Sequence, residues 1–437
     1  LDYTQALNWI HGIQRFGMNP GLERIEVLLD SLGNPHKRLR FLHIGGSNGK
    51  GSAAAFAARI METAGYRVGL YTSPYLVEFT NRMAINGTDI SQERLVEMVE
   101  RIKPLVEDVA ADPALGQPTE FEVVTAMALT YFAEEAPDLV VLEVGLGGRL
   151  DATNVVDPLA AVLTTVSLEH TQVLGHTLEE VAREKAGIVK KNGTVITGAA
   201  GEALEVIRKR CREKGAKLFC LGQDFGVEKV SSRLEGQVFH YSGLRHTLQD
   251  LRLTMLGDYQ PGNAALALAA LEVLEEKGFT VPEKAVRYGL EHTRWPGRLE
   301  IMRRAPLVVL DGAHNLEAFK GLKRSLEATF SYRYMVLVLG LLDDKPIDDI
   351  LREIAPLAQV LIVTTPNSPR AYDPWLLQDK AAGMVSGPVH VVEDIPGAVN
   401  LALSLARAPD LVLIAGSLYL VSDARRLLAG GRTALLQ

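Results

Sequence analysis

The sequence predicts an α/β protein of two domains, a large N-terminal one with a mostly parallel, doubly wound sheet and a small antiparallel excursion, then a smaller C-terminal α/β domain. Three observations predict it. Short apolar, β-rich runs alternate with helical patterns along most of the 437 residues, the pattern of parallel sheets covered on both faces. One run, Phe41-Leu42-His43-Ile44, breaks into Gly45-Gly46-Ser47-Asn48-Gly49-Lys50-Gly51-Ser52 ahead of an alanine-rich segment. The breaker Arg294-Trp295-Pro296-Gly297-Arg298 interrupts the chain before a second alternation begins, which sets the domains at 1–294 and 295–437.

Length and composition narrow the function classes. At about 150 residues per domain, the chain is too long for one ordinary core. Its 46 basic and 53 acidic residues leave a net charge of −7, which disfavours a non-specific nucleic-acid binder and suits a small charged metabolite. The two cysteines, Cys211 and Cys220, have neither metal-type nor redox-type spacing. No basic-then-apolar leader opens the sequence, and no apolar run approaches the roughly 18 residues of a membrane span. The sequence thus predicts a soluble, cytoplasmic protein.

In order, the first ten residues read as an amphipathic helix, and Pro20 to Pro35 carries apolar residues at helical spacing before a Gly-Asn-Pro stop. After the glycine-rich loop, strands are expected at Arg67 to Thr72, Asp138 to Gly145, Ala161 to Val166 and Thr194 to Gly198. From about Leu218 to Met255 the alternation changes to period two, an antiparallel excursion within the first domain. Asn263 is placed to cap a helix from Ala264 to the Gly278 stop, and another follows to about His292. Beyond the breaker, strands are expected at Leu307 to Leu310, Tyr334 to Gly340, Val360 to Thr364, Val389 to Val392 and Leu411 to Ala415.

Several residues on this scaffold carry chemistry. Glycines between a strand and a helix let backbone N–H groups turn toward a polyphosphate, Lys50 adds a point charge, and the Ser52 hydroxyl can ligate Mg²⁺. The strict P-loop spacing is broken, because Ile44 stands where a glycine belongs and Gly51 separates Lys50 from Ser52. Glu143 ends an apolar strand before Gly145 to Gly148, where a hard cation would find a carboxylate; pairing with Arg149 is the structural alternative. His170 follows another apolar strand, either as a metal ligand or as an ordinary hydrogen-bonding histidine. Thr177 and Glu180 fit a capping box, and Lys185 by itself reads as a solvated helix lysine. Asp311, His314 and Asn315 close a strand of the second domain without a serine elbow, which argues against a hydrolytic triad. Arg298 could act on a γ-phosphate as an arginine finger or form a linker salt bridge.

Taken together, Gly46-Ser47-Asn48-Gly49-Lys50-Gly51-Ser52, Ser73-Pro74-Tyr75-Leu76, Glu143 to Asn154, Glu169-His170, Glu184-Lys185-Ala186-Gly187-Ile188, Trp295 to Glu300, Asp311 to Asn315 and Gly416-Ser417-Leu418-Tyr419 resemble the folylpolyglutamate synthases, including bifunctional dihydrofolate synthases, within the Mur-ligase-like group. The resemblance implies an ATP-dependent ligase that joins L-glutamate to a folate or dihydropteroate through an acyl phosphate, releasing ADP and phosphate. It implies that Asn48, Gly49, Lys50, Gly51 and Ser52, with Asn263, Arg298 and Asp311, bind ATP. Ser52, Ser73, Glu143 and His170 would hold Mg²⁺, with a second metal site and a monovalent cation compatible with the family. Lys185 would be the family's carbamylated lysine, and His314 would lie near the reacting groups. The pterin acid would lie at Thr119, Phe121, Glu122 and Arg149, Leu150, Asp151 and Ala152. Ser47, Tyr75, Glu169 and Asp258-Tyr259 depart from the family's commoner threonine, histidine, aspartate and histidine. A monomer without nucleic-acid or membrane partners is the accompanying expectation.

Two other classes compete. A cell-wall amino-acid ligase would carry an extra N-terminal domain, for which the roughly 40 residues before the loop leave no room. A switch GTPase needs an Asn-Lys-x-Asp motif, which this sequence lacks.

Overall fold

The structure, a computed structural model, describes residues 1–13 and 20–430, and every statement below concerns those. The chain divides into two compact units. The first comprises Leu1–Glu228, Phe239–Arg252 and Pro261–Thr293; the second comprises Lys229–Val238, Leu253–Gln260 and Arg294–Gln437.

The main sheet is built from β1 (Phe41–Gly45), β2 (Val68–Tyr71), β3 (Met83–Ile85), β4 (Thr88–Asp89), β5 (Leu139–Glu143), β6 (Ala160–Leu163), β7 (Thr194–Thr197) and β8 (Lys217–Cys220). Their order is β4-β3-β2-β5-β1-β6-β7-β8. All neighbours from β2 to β8 run parallel, and β3 and β4 add an antiparallel edge. Every residue of β1 and β5 is buried, which is why both read as mainly apolar runs, broken only by His43 and ended by Glu143, rather than alternating ones. The chain leaves β1 toward β2 and leaves β5 toward β6, in opposite directions across the sheet. Their carboxyl ends therefore flank a switch point, where such sheets bind ligands.

A second sheet, β9 (Gly226–Arg233), β10 (Gly236–Ser242) and β11 (Thr247–Leu253), has the order β11-β10-β9. The excursion expected wholly within the first domain is thus present, but 229–238 and 253–260 belong to the second unit. Its expected first part is corrected as well: β8 pairs parallel with β7 and forms the edge of the main sheet.

The third sheet, in the second unit, comprises β12 (Glu300–Arg304), β13 (Leu307–Asp311), β14 (Met335–Leu339), β15 (Val360–Val363), β16 (Val389–Val391) and β17 (Leu411–Ala415), ordered β12-β13-β17-β14-β15-β16. Only β12 is antiparallel to its neighbour. Asp311 and Leu339 both pair with Ala415, so the carboxyl ends of three strands lie level.

One helix start is corrected. The helix expected from Ala264 runs Gln260–Glu275, so Asn263 lies inside its first turn rather than capping it. Proline is tolerated in a first turn because its missing N–H would have had no intrahelical partner there, and Pro261 occupies that turn.

Candidate active site

Gly46 and Gly49 take left-handed backbone angles, φ 132° and 87°, where a side chain is strained. Space demands glycine too: a Cβ at Gly46 would run into Thr164 Oγ1, and one at Gly49 into the Asn263 amide. The loop is tied to the segment after β6. Ser47 N donates to Thr165 O at 2.7 Å, Asn48 N donates to Thr165 Oγ1 at 3.2 Å, and Asn48 O accepts from Thr164 Oγ1 at 2.7 Å. Gly49 caps the helix Lys50–Thr63, in whose first turn Gly51 is half-buried and Ser52 is buried.

Two lysines meet at this loop. Gly46 O accepts from Lys50 Nζ at 3.0 Å and from Lys185 Nζ at 3.1 Å, and Lys50 also donates to Ser47 O. Lys185 is therefore not the solvated helix lysine its local sequence suggests; it is 1% exposed and pairs with Glu169 at 2.7 Å. Glycines let its helix end come so close, since a Cβ at Gly148 would meet the carbonyls of Glu184 and Lys185, and one at Gly187 would meet Arg149. Burial pushes the Lys185 amine below its ordinary range against the pull of Glu169. Burial alone would raise the Glu169 carboxyl, but the charges of Lys185 and Lys50 outweigh it and hold the group at about 2.

Glu143 sits opposite Ile44 in the β1–β5 register, and its Oε2 accepts from Ser73 N at 3.0 Å. Its structural alternative, Arg149, pairs instead with Glu184 at 2.9 Å. His170, half-buried and left-handed at φ 46°, starts the short helix Thr171–Leu174. Among the described residues no group of three or more His, Cys, Asp or Glu could hold a metal. Mg²⁺ does not require one, because it keeps several waters and takes one or two carboxylates plus substrate phosphates. Glu143, Ser73 and Ser52 offer oxygen donors of that kind, whereas His170 would add a nitrogen, and the glycine cradle leaves room for a polyphosphate.

Asp151 is buried and accepts at Oδ2 from Leu146 N and at Oδ1 from Thr153 N and Oγ1. Burial pushes its carboxyl up, against those hydrogen bonds. The Thr153 hydroxyl is in turn 2.8 Å from Nε2 of His43 on β1, whose imidazole burial drives down to about 3. His43 is a neutral support for the Asp151 turn that nothing in the sequence pattern singled out. Leu150 is half-buried and Ala152 buried beside it. Thr119 caps the helix Glu120–Glu135 in a capping box with Glu122. Both carboxylate oxygens of Glu122 also accept from Arg24, at 2.9 and 3.1 Å, so this carboxylate is engaged by the protein itself. The Phe121 ring packs where a Cβ at Gly145 would stand, 6.2 Å from the Tyr71 ring.

In the second unit Asp311 ends β13, accepting at Oδ1 from Ala313 N (2.8 Å) and at Oδ2 from Leu299 N (2.9 Å) and the Tyr259 hydroxyl (3.4 Å). Burial raises its carboxyl and Arg298 opposes that. Arg298 lies where a Cβ at Gly312 would fall. His314 donates from Nδ1 to Gly312 O at 2.8 Å, which makes Nε2 the basic ring nitrogen, and Asn315 caps the helix Leu316–Thr329. Arg298, Asp311 and His314 thus gather at one strand end.

Comparison with known proteins matches residues 44–271 to the Mur ligase middle domain and 297–418 to the Mur ligase glutamate ligase domain. The dihydrofolate synthase/folylpolyglutamate synthase of Bacillus subtilis is 37% identical, covering 97% of this chain and 98% of its own. The folylpolyglutamate synthase of Lacticaseibacillus casei is 35% identical over 99% and 100%. Among solved structures, Mycobacterium tuberculosis folylpolyglutamate synthase complexed with ADP superposes with a TM-score of 0.91 at 33% identity over 99% of each chain. Escherichia coli FolC in complex with DHPP and ADP does so at 0.87 and 30% identity over 98% of each.

Proposed function

The chain belongs to the Mur ligases, among the folylpolyglutamate and dihydrofolate synthases, and on that premise we propose how its residues divide the work of joining glutamate to a folate with ATP. The observation that carries the proposal is the convergence of Lys50 and Lys185 on Gly46 O, beside the Ser73–Glu143 hydrogen bond.

A carboxylate is a poor electrophile. Transfer of the γ-phosphoryl group converts it to an acyl phosphate, whose carbonyl carbon the glutamate amine attacks; the amide forms, phosphate leaves, and the amine gives up its protons. In this reading Asn48, Gly49, Gly51 and Ser52 present the loop to the phosphates, and Lys50 balances the charge that develops as ADP departs. Ser52, Ser73, Glu143 and His170 would hold Mg²⁺, which would screen phosphate charge. Asn263 braces Gly49, while Arg298 and Asp311 serve the nucleotide and His314 the reacting groups. Thr119, Phe121, Glu122 and 149–152 receive the pterin acid; the complex of a relative with DHPP and ADP supports a ligand besides the nucleotide, not its position. Dihydropteroate is proposed as a second acid substrate.

A carbamate on Lys185 would replace a cation by an anion next to Glu169, where Lys50 and a bound Mg²⁺ would offset the added negative charge. The proposal therefore couples carbamylation to metal: a mass increment of one carbon dioxide should appear on Lys185 with Mg²⁺ and bicarbonate and disappear with chelator. The acidic balance of the sequence favours an enzyme without nucleic-acid partners, and we take it to be a cytoplasmic monomer. No described helix is long and apolar enough to cross a membrane.

ADP release tests the whole reading. It should require both glutamate and a pterin acid; preference for GTP, or turnover without glutamate, would refute it.

A further inference from the structure

Beside these residues, three ionisable side chains come together without satisfying one another. Arg82, 8% exposed, ends the short turn Phe79–Arg82 and faces Glu120, the first residue of the helix Glu120–Glu135. Its Nη2 is 3.8 Å from Glu120 Oε1, and Glu120 Oε2 is 3.6 Å from His11 Nδ1. Both gaps exceed hydrogen-bond reach. Arg82 Nε and Nη1 are buried without an acceptor, and Glu120 Oε2 is buried without a donor. The guanidinium lies 5.4 Å from the centre of the Tyr75 ring and 5.1 Å from that of Phe79. Each such unmet buried group costs about 1–3 kcal/mol, and the cost calls for an occupant that removes it.

Position says which occupant. Thr72 N donates to Arg82 O at 3.1 Å, one residue before Ser73, whose N–H is held by Glu143. Glu120 stands between Thr119 and Phe121, and the charges of Arg82, Asp151 and Glu120 are all felt at the buried Tyr71 hydroxyl. The cluster therefore adjoins the residues assigned to the pterin acid. It offers cationic donors for a carboxylate and, close by, one anionic acceptor for an N–H. A phosphate would meet repulsion from Glu120, whereas a carboxylate with a neighbouring amide N–H meets complementary groups on both sides.

We propose that Arg82 and Glu120 receive the N-acylglutamate end of the acid substrate, Arg82 taking a carboxylate and Glu120 Oε2 the amide N–H. The proposal rests on the folate-ligase reading and deepens it. It makes the pair a specificity determinant, because dihydropteroate has no glutamyl carboxylate or amide N–H to offer, and a site built to hydrogen-bond a group discriminates against ligands lacking it.

Equilibrium titration of the full chain with tetrahydrofolate and with dihydropteroate tests this, alongside the ADP-release assay. R82Q should weaken tetrahydrofolate binding about tenfold or more, the equivalent of about 1.4 kcal/mol, and E120Q should weaken it less. Dihydropteroate affinity and the KM for ATP should stay near wild type. R82K keeps the charge and loses the planar fork, so it should show the same selective loss and serves if R82Q fails to fold. Equal weakening of both acids, a raised KM for ATP, or no change in tetrahydrofolate affinity would make the cluster structural and overturn the proposal. A wild-type protein that binds tetrahydrofolate but releases no glutamate-dependent ADP would instead overturn the ligase reading.

Discussion

Lys185 Nζ lies 2.7 Å from Glu169 Oε1, and the two side chains are 1% and 6% exposed. Removing one member of such a pair strands the other charge in the interior, at a cost of about 3–5 kcal/mol. In chelator and without added bicarbonate, where Lys185 carries its free amine, Lys185→Met and Glu169→Gln should each lower the urea midpoint markedly, and the double variant should lose less than the sum. Additive losses would show that the two do not act on each other.

The same pair predicts an acid limb. Glu169 is held at about 2 against an ordinary 4.5, because Lys185 and Lys50 outweigh the opposing effect of burial. Between those values the unfolded chain binds more protons at this site than the folded one, so stability falls as pH falls. The contribution is complete above about pH 4.5 and is lost toward about pH 2. Unfolding free energies over that window should fall less steeply in Glu169→Gln than in wild type; parallel curves would remove Glu169 from the acid response.

Lys50→Ala and Glu143→Ala should abolish ADP formation while circular dichroism and Tm stay near wild type. Retained turnover in either variant would refute its role at the phosphates.

Gly49 combines φ 87° with the Asn263 side chain at its vacant Cβ position. Gly49→Ala should raise the KM for ATP, and adding Asn263→Ala should relieve the clash but leave the backbone strain of about 1–2 kcal/mol. Full restoration by the double variant would mean that crowding alone requires the glycine.

For Arg298 the expected loss is in kcat. Arg298→Ala should lower it by about 10³, as removal of an arginine finger does, and Arg298→Lys by less. A change confined to the KM for ATP would reduce Arg298 to a binding contact.

The sequence made some of this visible and hid the rest for physical reasons. β1 and β5 are buried throughout, so they stood out as mainly apolar runs, and Lys50 and Glu143 were placed at their ends. The two-residue β4 is exposed and β3 spans only three residues, too short for any period to register. Asn263 looked like a cap because it precedes an alanine-rich run, whereas Pro261 had already entered the helix. The burial of Lys185 could not be read locally. It depends on Gly148 and Gly187 allowing distant segments to touch, and the Arg82–Glu120 approach likewise joins residues far apart in the chain.

The backbone passes from one compact unit to the other after residues 228, 238, 252, 260 and 293. No single cut can therefore release either unit whole. A fragment ending at the Arg294 breaker would retain 229–238 and 253–260 without the body they pack into, and the complementary fragment would lack them. Leu256, buried in the core of the second unit, would lose that cover, and apolar surface exposed in this way invites aggregation, so this ligase is best expressed and engineered as one piece.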